Sequence, residues 1–135
     1  MTAKEIEIVK KSWRKLQGIN PELLGDVFYT KLFLLNPSLE RMFKTPKEIQ
    51  SKKLIDMLHS IVLNLENLDG LSDEIEKMGN SHKGYGAKPK HYDSVGNALI
   101  WTLANALQKD WNDDVEKAWI TCYTILAEKM QKKLD

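Results

Sequence analysis

An all-α fold follows from three features of this 135-residue sequence. Apolar residues recur at helical spacing, explicit helix-start signals precede each recurrence, and no segment alternates with the period of two that marks a strand. Thr2-Ala3-Lys4-Glu5 reads as a capping box, in which the Thr hydroxyl and the Glu carboxylate satisfy backbone donors that a helix start leaves unpaired. The first helix runs to about Gln17 and breaks at Gly18. Asn20-Pro21 opens the second, with proline in the first turn where its missing N–H is not needed. That helix ends near Asn36, because Pro37 disfavours helical geometry in the residue before it. A short third helix covers Pro37 to about Phe43.

Thr45-Pro46-Lys47-Glu48 reads as a second capping box, opening a long helix to about Leu65. Gly70-Leu71-Ser72-Asp73-Glu74 separates it from a helix that ends near His82, and Gly84 to Pro89 forms a corner. The next helix extends to about Gln108. Asn112-Asp113-Asp114 caps the last one, with acidic residues at the positive end of the helix dipole. The expectation is six or seven helices.

Length and composition bound the class. At 135 residues the chain suits one domain, 1–135, with a single sizeable core. Twenty Lys plus Arg against 19 Asp plus Glu leave a formal net charge of +1, so no nucleic-acid or anionic-membrane footprint is expected. The single Cys122 cannot form an internal disulfide and fits a reducing compartment. Met1-Thr2-Ala3-Lys4-Glu5 lacks the apolar run of a signal peptide, and no segment offers the ~18 consecutive apolar residues of a membrane helix. A soluble, cytoplasmic protein is the expectation.

The helix faces single out candidate site residues. Leu54, Leu58, Ile61 and Leu65 share one face of the long helix, with Gln50 one turn before Leu54. A glutamine there is either a rim residue that meets water or a ligand contact, since a buried amide must find partners. Leu71, Ile75, Met78 and His82 share a face of the following helix. A histidine closing such a stripe is either a packing residue or a metal ligand. His59, nine residues after Gln50, is rotated away from that residue's face, and His91, just after Pro89, is expected to be solvated.

Helix two presents Leu24, Val27, Phe28, Leu32 and Leu35, and its Gly25 costs about 1 kcal/mol against alanine, which close approach of another helix would explain. Tyr29, one turn after Gly25 and near Phe33, can point inward with a hydroxyl that needs a partner. The sequence has no Gly-rich phosphate loop, no Cys-x-x-Cys and no His-Glu-x-x-His. Asp113-Asp114 and Glu5-Glu7 read as helix-start and surface charges, and Cys122 as a core residue. The four tryptophans are too scattered for a stacking platform.

Together these pieces resemble a globin over essentially the whole chain. Ser12-Trp13 and Gly25 match common globin patterns. Leu35-Asn36-Pro37 with Leu39 and Phe43 is similar to the second-to-third helix junction, with Phe43 as the phenylalanine packed on the haem face. The run from His82 through Tyr92 to Val95-Gly96 resembles flavohaemoglobins and neuroglobin, whose leading histidine is the proximal iron ligand.

The resemblance implies a haem b cofactor with His82 as its metal ligand and Tyr92 hydrogen-bonded to that histidine. It places Tyr29 and Gln50 on the distal side as ligand-stabilising, catalytic residues. It places Phe43, Lys53, Leu54, Ala87, Val95 and Leu99 around the porphyrin. Bound O₂ carries partial negative charge, so two neutral donors imply tight binding and slow release of O₂, with NO and CO as further ligands. The function so implied is O₂ binding with possible nitric oxide detoxification. The competing classes are a non-catalytic gas sensor or O₂ carrier or scavenger, and a cofactor-free helical interaction domain.

Two departures qualify the match. Flavohaemoglobins carry reductase domains, for which the sequence ending at Asp135 has no room, so a separate reductase is implied. The glutamate that completes their proximal hydrogen-bond relay is matched by Leu134, so that relay is absent unless Asp135 substitutes. The segment between Phe43 and Gln50 is also short, leaving little or no helix of its own.

Overall fold

A computed structural model describes residues 1–71, 75, 77 and 89–131. Among these residues every regular element is helical, with five α-helices and three 3₁₀ segments. Helix α1 spans Ala3–Lys15, α2 Pro21–Leu35, α3 Lys47–Leu63, α4 Pro89–Leu107 and α5 Asp113–Gln131. The 3₁₀ segments are Pro37–Met42, Leu65–Leu71 and Gln108–Asp110.

Most of the helix starts form as their sequences dictate. The Glu5 amide donates to Thr2 Oγ1 at 3.1 Å and the Thr2 amide to Glu5 Oε1 at 2.8 Å, completing the capping box. Asn20 accepts from the Glu22 amide at 2.8 Å, and Asn112 from the Val115 amide at 3.0 Å. The second predicted capping box does not form. Pro46, with ψ of 141°, lies outside the helix and is itself the cap residue, without a side-chain hydrogen bond. Helix α3 therefore starts at Lys47, which moves Glu48 too close to the start to reach back to Thr45. The same helix ends at Leu63 rather than Leu65, and the chain tightens at once into the 3₁₀ segment that follows. Residues 43–46 hold no helix, as their shortness requires.

Helix α2 is the hub: it packs against α3 on one side and α4 on the other, while α5 closes the core against α1 and α4. The crossing of α2 and α3 is the tightest point in the fold. A Cβ built on Gly25 would fall inside the Ser51 side chain, so only glycine lets the two backbones approach this closely. Gly96 plays a similar part between α4 and α5, where an added Cβ would lie 2.6 Å from Tyr123 Cε2.

Polar groups tie the outer helices in. The Trp119 indole N–H donates to Ser12 Oγ at 2.8 Å, and Ser12 in turn donates to main-chain carbonyls of its own helix. Trp13 Nε1 donates to His59 Nδ1 at 3.1 Å, which joins α1 to α3 on a face remote from Gln50. This explains Ser12-Trp13 physically: both residues serve buried indoles.

The apolar faces follow their spacing with two exceptions. Leu58, Ile61, Leu65 and the isolated helical residue Ile75 are buried, with Leu54 half-buried against the core. Leu35, expected inside, is 44% exposed, because it is the last residue of α2 and the chain turns away there; Leu32 and Leu39 fill the core on either side. His91, expected in solvent, is 8% exposed. Its helix is sandwiched between α2 and α5 and so buries a wider arc than a single apolar stripe would. Met78 and His82 lie outside the described residues.

Substituting Gly25→Ala should cost about 1–3 kcal/mol by forcing the α2–α3 crossing apart, read as a lower urea midpoint. Adding Ser51→Gly, which removes the atoms that Cβ would meet, should recover part of that loss.

Candidate functional site

The α2–α3 crossing brings two predicted site residues to one place. Tyr29 lies one turn beyond Gly25 and Gln50 immediately precedes Ser51, so the close contact fixes their separation. Together with Phe33, Glu40, Phe43, Thr45 and Lys47 they line a cavity of about 280 Å³. That is many times the volume a single water-sized guest requires.

Its inner wall is aromatic. Tyr29 meets Phe43 edge-on at 5.3 Å between ring centroids and Phe28 at 4.9 Å, and it stacks on Phe33 at 6.0 Å. Phe33 and Phe43 are 5.5 Å apart and close the same wall. The 3₁₀ turn Pro37–Met42 delivers Phe43 to this position, with Leu39 buried as its anchor. Exposed Glu40 and Lys47 and half-buried Thr45 form the outer rim, so the cavity opens to solvent on their side.

The polar groups inside are neutral donors. The Tyr29 hydroxyl donates a long hydrogen bond, 3.5 Å, to the main-chain carbonyl of Gln50. So long a bond is weak, and leaves the phenol proton available to a better acceptor in the cavity. Burial pushes the Tyr29 pKa up to about 12, so the phenol keeps its proton at physiological pH. The Gln50 side chain is half-buried on the cavity wall, which puts it between the two roles its sequence position allows.

A second tyrosine lies at the start of α4. Tyr92 Oη is buried and has no hydrogen-bond partner among the described residues. Burial raises its pKa, so it is a neutral phenol with an unspent proton. The Tyr92 backbone is held firmly, since Tyr123 Oη donates to its carbonyl at 2.6 Å. Tyr123 packs on Gly96, and burial, with Tyr92 and Asp93 nearby, pushes its own pKa well up. An orphaned buried hydroxyl is costly, so Tyr92 fits a partner beyond the described residues.

Of the other predicted site residues, Leu99 is buried in the core, and Leu54 and Val95 are half-buried against it. Lys53 is exposed on α3. His82 and Ala87 lie outside the described residues. Glu40, Thr45 and Lys47 were not singled out in the sequence as site residues. Lys47, one helical turn before Gln50, was recoverable from spacing alone. Glu40 and Thr45 lie on irregular chain that carries no period to read. No group of three or more His, Cys, Asp or Glu able to hold a metal occurs among the described residues.

The globin family profile matches residues 26–130. The chain belongs to the globin family. It is 28% identical over 131 residues to the flavohemoprotein of Vibrio cholerae, covering 95% of this chain and 33% of that protein. Its identity to the neuroglobin of Tetraodon nigroviridis is 24%, covering 98% of this chain and 91% of that one. A bacterial globin structure from Campylobacter jejuni superposes with a TM-score of 0.83 at 30% identity, covering 98% of both chains. The globin thus spans about a third of the flavohemoproteins it matches and nearly all of the neuroglobins.

Membership makes this a haem-binding, gas-binding protein. The residues present fit that cofactor: an aromatic cavity with one neutral buried donor on the α2–α3 side, and an orphaned buried phenol on α4. No described helix is long and apolar enough to cross a membrane.

Cys122 belongs to the core rather than to this site. It is 4% exposed, and burial pushes its pKa up from 9.0 to about 12, which removes it as a nucleophile at neutral pH. Cys122 and Tyr29 both hold their protons more tightly folded than unfolded. Their stabilisation is complete below pH 9 and is lost progressively as pH rises toward 12, because the unfolded chain ionises first. Stability should therefore fall toward pH 12, from about pH 9 for Cys122 and from about pH 10 for Tyr29, by as much as about 1.4 kcal/mol per pH unit for each group. Urea midpoints measured across that range should fall less steeply in Cys122→Ala.

Proposed function

We propose that this globin binds O₂, and also NO and CO, in the cavity between α2 and α3, with Tyr29 and Gln50 as hydrogen-bond donors to the gas. The observation that carries this reading is the neutral Tyr29 phenol, buried in an aromatic wall and only weakly engaged by the Gln50 carbonyl. Haem, when bound, supplies an iron with a coordination position open to a diatomic gas. His82 is the residue we assign to hold that iron, and the orphaned Tyr92 hydroxyl supports a hydrogen bond to it that fixes the imidazole's orientation.

A gas held there would be a better acceptor than the distant carbonyl, and the Tyr29 phenol would donate its proton to it. The Gln50 amide adds a second donor. Each contributes on the order of 1 kcal/mol in a site that excludes water, and the gain appears in slow release. In this reading Phe43, Leu54, Val95 and Leu99 keep the surroundings apolar, and we assign exposed Lys53 to the cofactor's edge.

High O₂ affinity in such a pocket supports the oxidation of nitric oxide. One NO, one O₂ and one electron give one nitrate, with the electron from a reductase. A cytoplasmic, reducing setting suits that supply and suits the free Cys122 thiol. Leu134, standing where flavohaemoglobins carry a glutamate, favours a second reading: an O₂ carrier, scavenger or sensor that holds its ligand without rapid turnover.

Tyr29→Phe should speed O₂ release about tenfold, measured by stopped-flow replacement with CO. An unchanged rate would remove Tyr29 from the ligand. The purified His82→Ala protein should lose the haem Soret absorption and regain it when imidazole is supplied; a full band without imidazole would overturn the iron assignment. Sustained nitrate formation from NO with a generic reductase, or its absence, separates the catalytic reading from the carrier reading.

A further inference from the structure

We propose that Lys47 and Asp26 form an ionic latch that holds the first turn of α3 at the cavity mouth and sets how fast gas molecules enter. The proposal rests on the cavity being the gas pocket. Lys47 Nζ lies 2.6 Å from Asp26 Oδ1 and 3.4 Å from Thr30 Oγ1, so one side chain ties the start of α3 to α2 at two points. Asp26 lies three residues before Tyr29 and Thr30 directly after it, which puts the tie on the stretch of α2 that carries the phenol. Lys47 itself lines the cavity, at its solvent side, one turn before Gln50.

Ahead of the Ser51 contact, the turn has few other restraints. Its cap residue, Pro46, offers no side-chain hydrogen bond, and Glu48 and Ile49 are exposed. The amides of Ile49 and Gln50 both donate to the Pro46 carbonyl, at 3.1 and 3.0 Å, so the turn pivots as one piece about the Ser51 contact, which holds the two backbones, and swings the Gln50 side chain with it. A lysine at a helix N-terminus is opposed by the helix dipole, and the Asp26 carboxylate offsets this. Without Asp26 the lysine is driven away from the turn's amides, and the mouth widens.

The pair is about half exposed on both sides, 45% and 54%. Exposed pairs are weak and screened by salt, which suits a gate that opens often rather than a strut. Lys47 and Asp26 are thus positioning residues that act through the Gln50 turn.

The test is CO rebinding after flash photolysis of the haem-loaded protein, with Lys47→Met, Asp26→Asn and the exchanged pair Asp26→Lys with Lys47→Glu. Each single variant should raise the bimolecular association rate about two- to fivefold, the range expected for losing one exposed pair. The wild-type rate should climb with ionic strength and the single variants' rates should not. The exchanged pair should return to the wild-type rate. Amide hydrogen exchange at Gln50 and Ser51, read without gas, should be faster in Lys47→Met. Single variants that associate at the wild-type rate, or an exchanged pair that behaves as they do, would overturn the latch. The latch leaves the effect of Tyr29→Phe on gas release untouched, so its failure is separable from failure of the gas-pocket reading.

Discussion

Two helix backbones in contact at Gly25 and Ser51 are the constraint on which the rest of this protein depends. A side chain at position 25 would occupy the space that Ser51 fills, and α2 and α3 would have to separate. Tyr29 and Gln50 sit within one turn of that contact on their own helices, so the crossing sets how far apart they stand. The same crossing brings Lys47 within reach of Asp26 and Thr30. Core packing and the geometry of the proposed gas pocket are therefore one property here, because close-packed helices transmit displacement rather than absorb it.

Around that crossing the polar groups fall into two populations. Those that tie the outer helices are satisfied: the Trp119 and Trp13 indoles have partners in Ser12 and His59, and the Tyr123 hydroxyl has the Tyr92 carbonyl, whereas the Ser51 hydroxyl, buried at the crossing itself, has no partner among the described residues. Those that face the functional region are held in reserve. The Tyr29 hydroxyl has one long bond, and the Tyr92 hydroxyl has none among the described residues. A buried donor without a strong partner costs stability, and a ligand that accepts from it recovers that cost. The scaffold tyrosine differs from the two reserve tyrosines in its bonds rather than in its charge, since burial keeps all three neutral.

Helix starts were legible in the sequence wherever a short polar side chain could satisfy the first amides, as at Thr2, Asn20 and Asn112. They were misread at Thr45, where the same letters occur but the ψ of Pro46 pushes the helix start past the box. Burial was legible for α3, which shows the core one stripe. It was misjudged for His91, whose helix is covered from two sides, and for Leu35, whose helix ends before the residue can turn inward. Of the cavity wall, Tyr29 and Gln50 were legible as candidates from their helix faces, while a distal role for them, and the place of Phe43, came only through resemblance. Glu40 and Thr45 were not, since irregular chain carries no period.

By itself the sequence determined that the chain is helical, where most of its elements begin, that Gly25 marks a close contact, and that its residues resemble those of a globin. These are local or pattern properties, decided within a few turns of helix. Only the tertiary structure decided that Tyr29 rests against the Gln50 carbonyl, that Tyr92 keeps an unspent hydroxyl, and that Lys47 reaches across to Asp26. Each of those depends on where two helices cross, and a crossing is set by the shape of side chains distant in sequence.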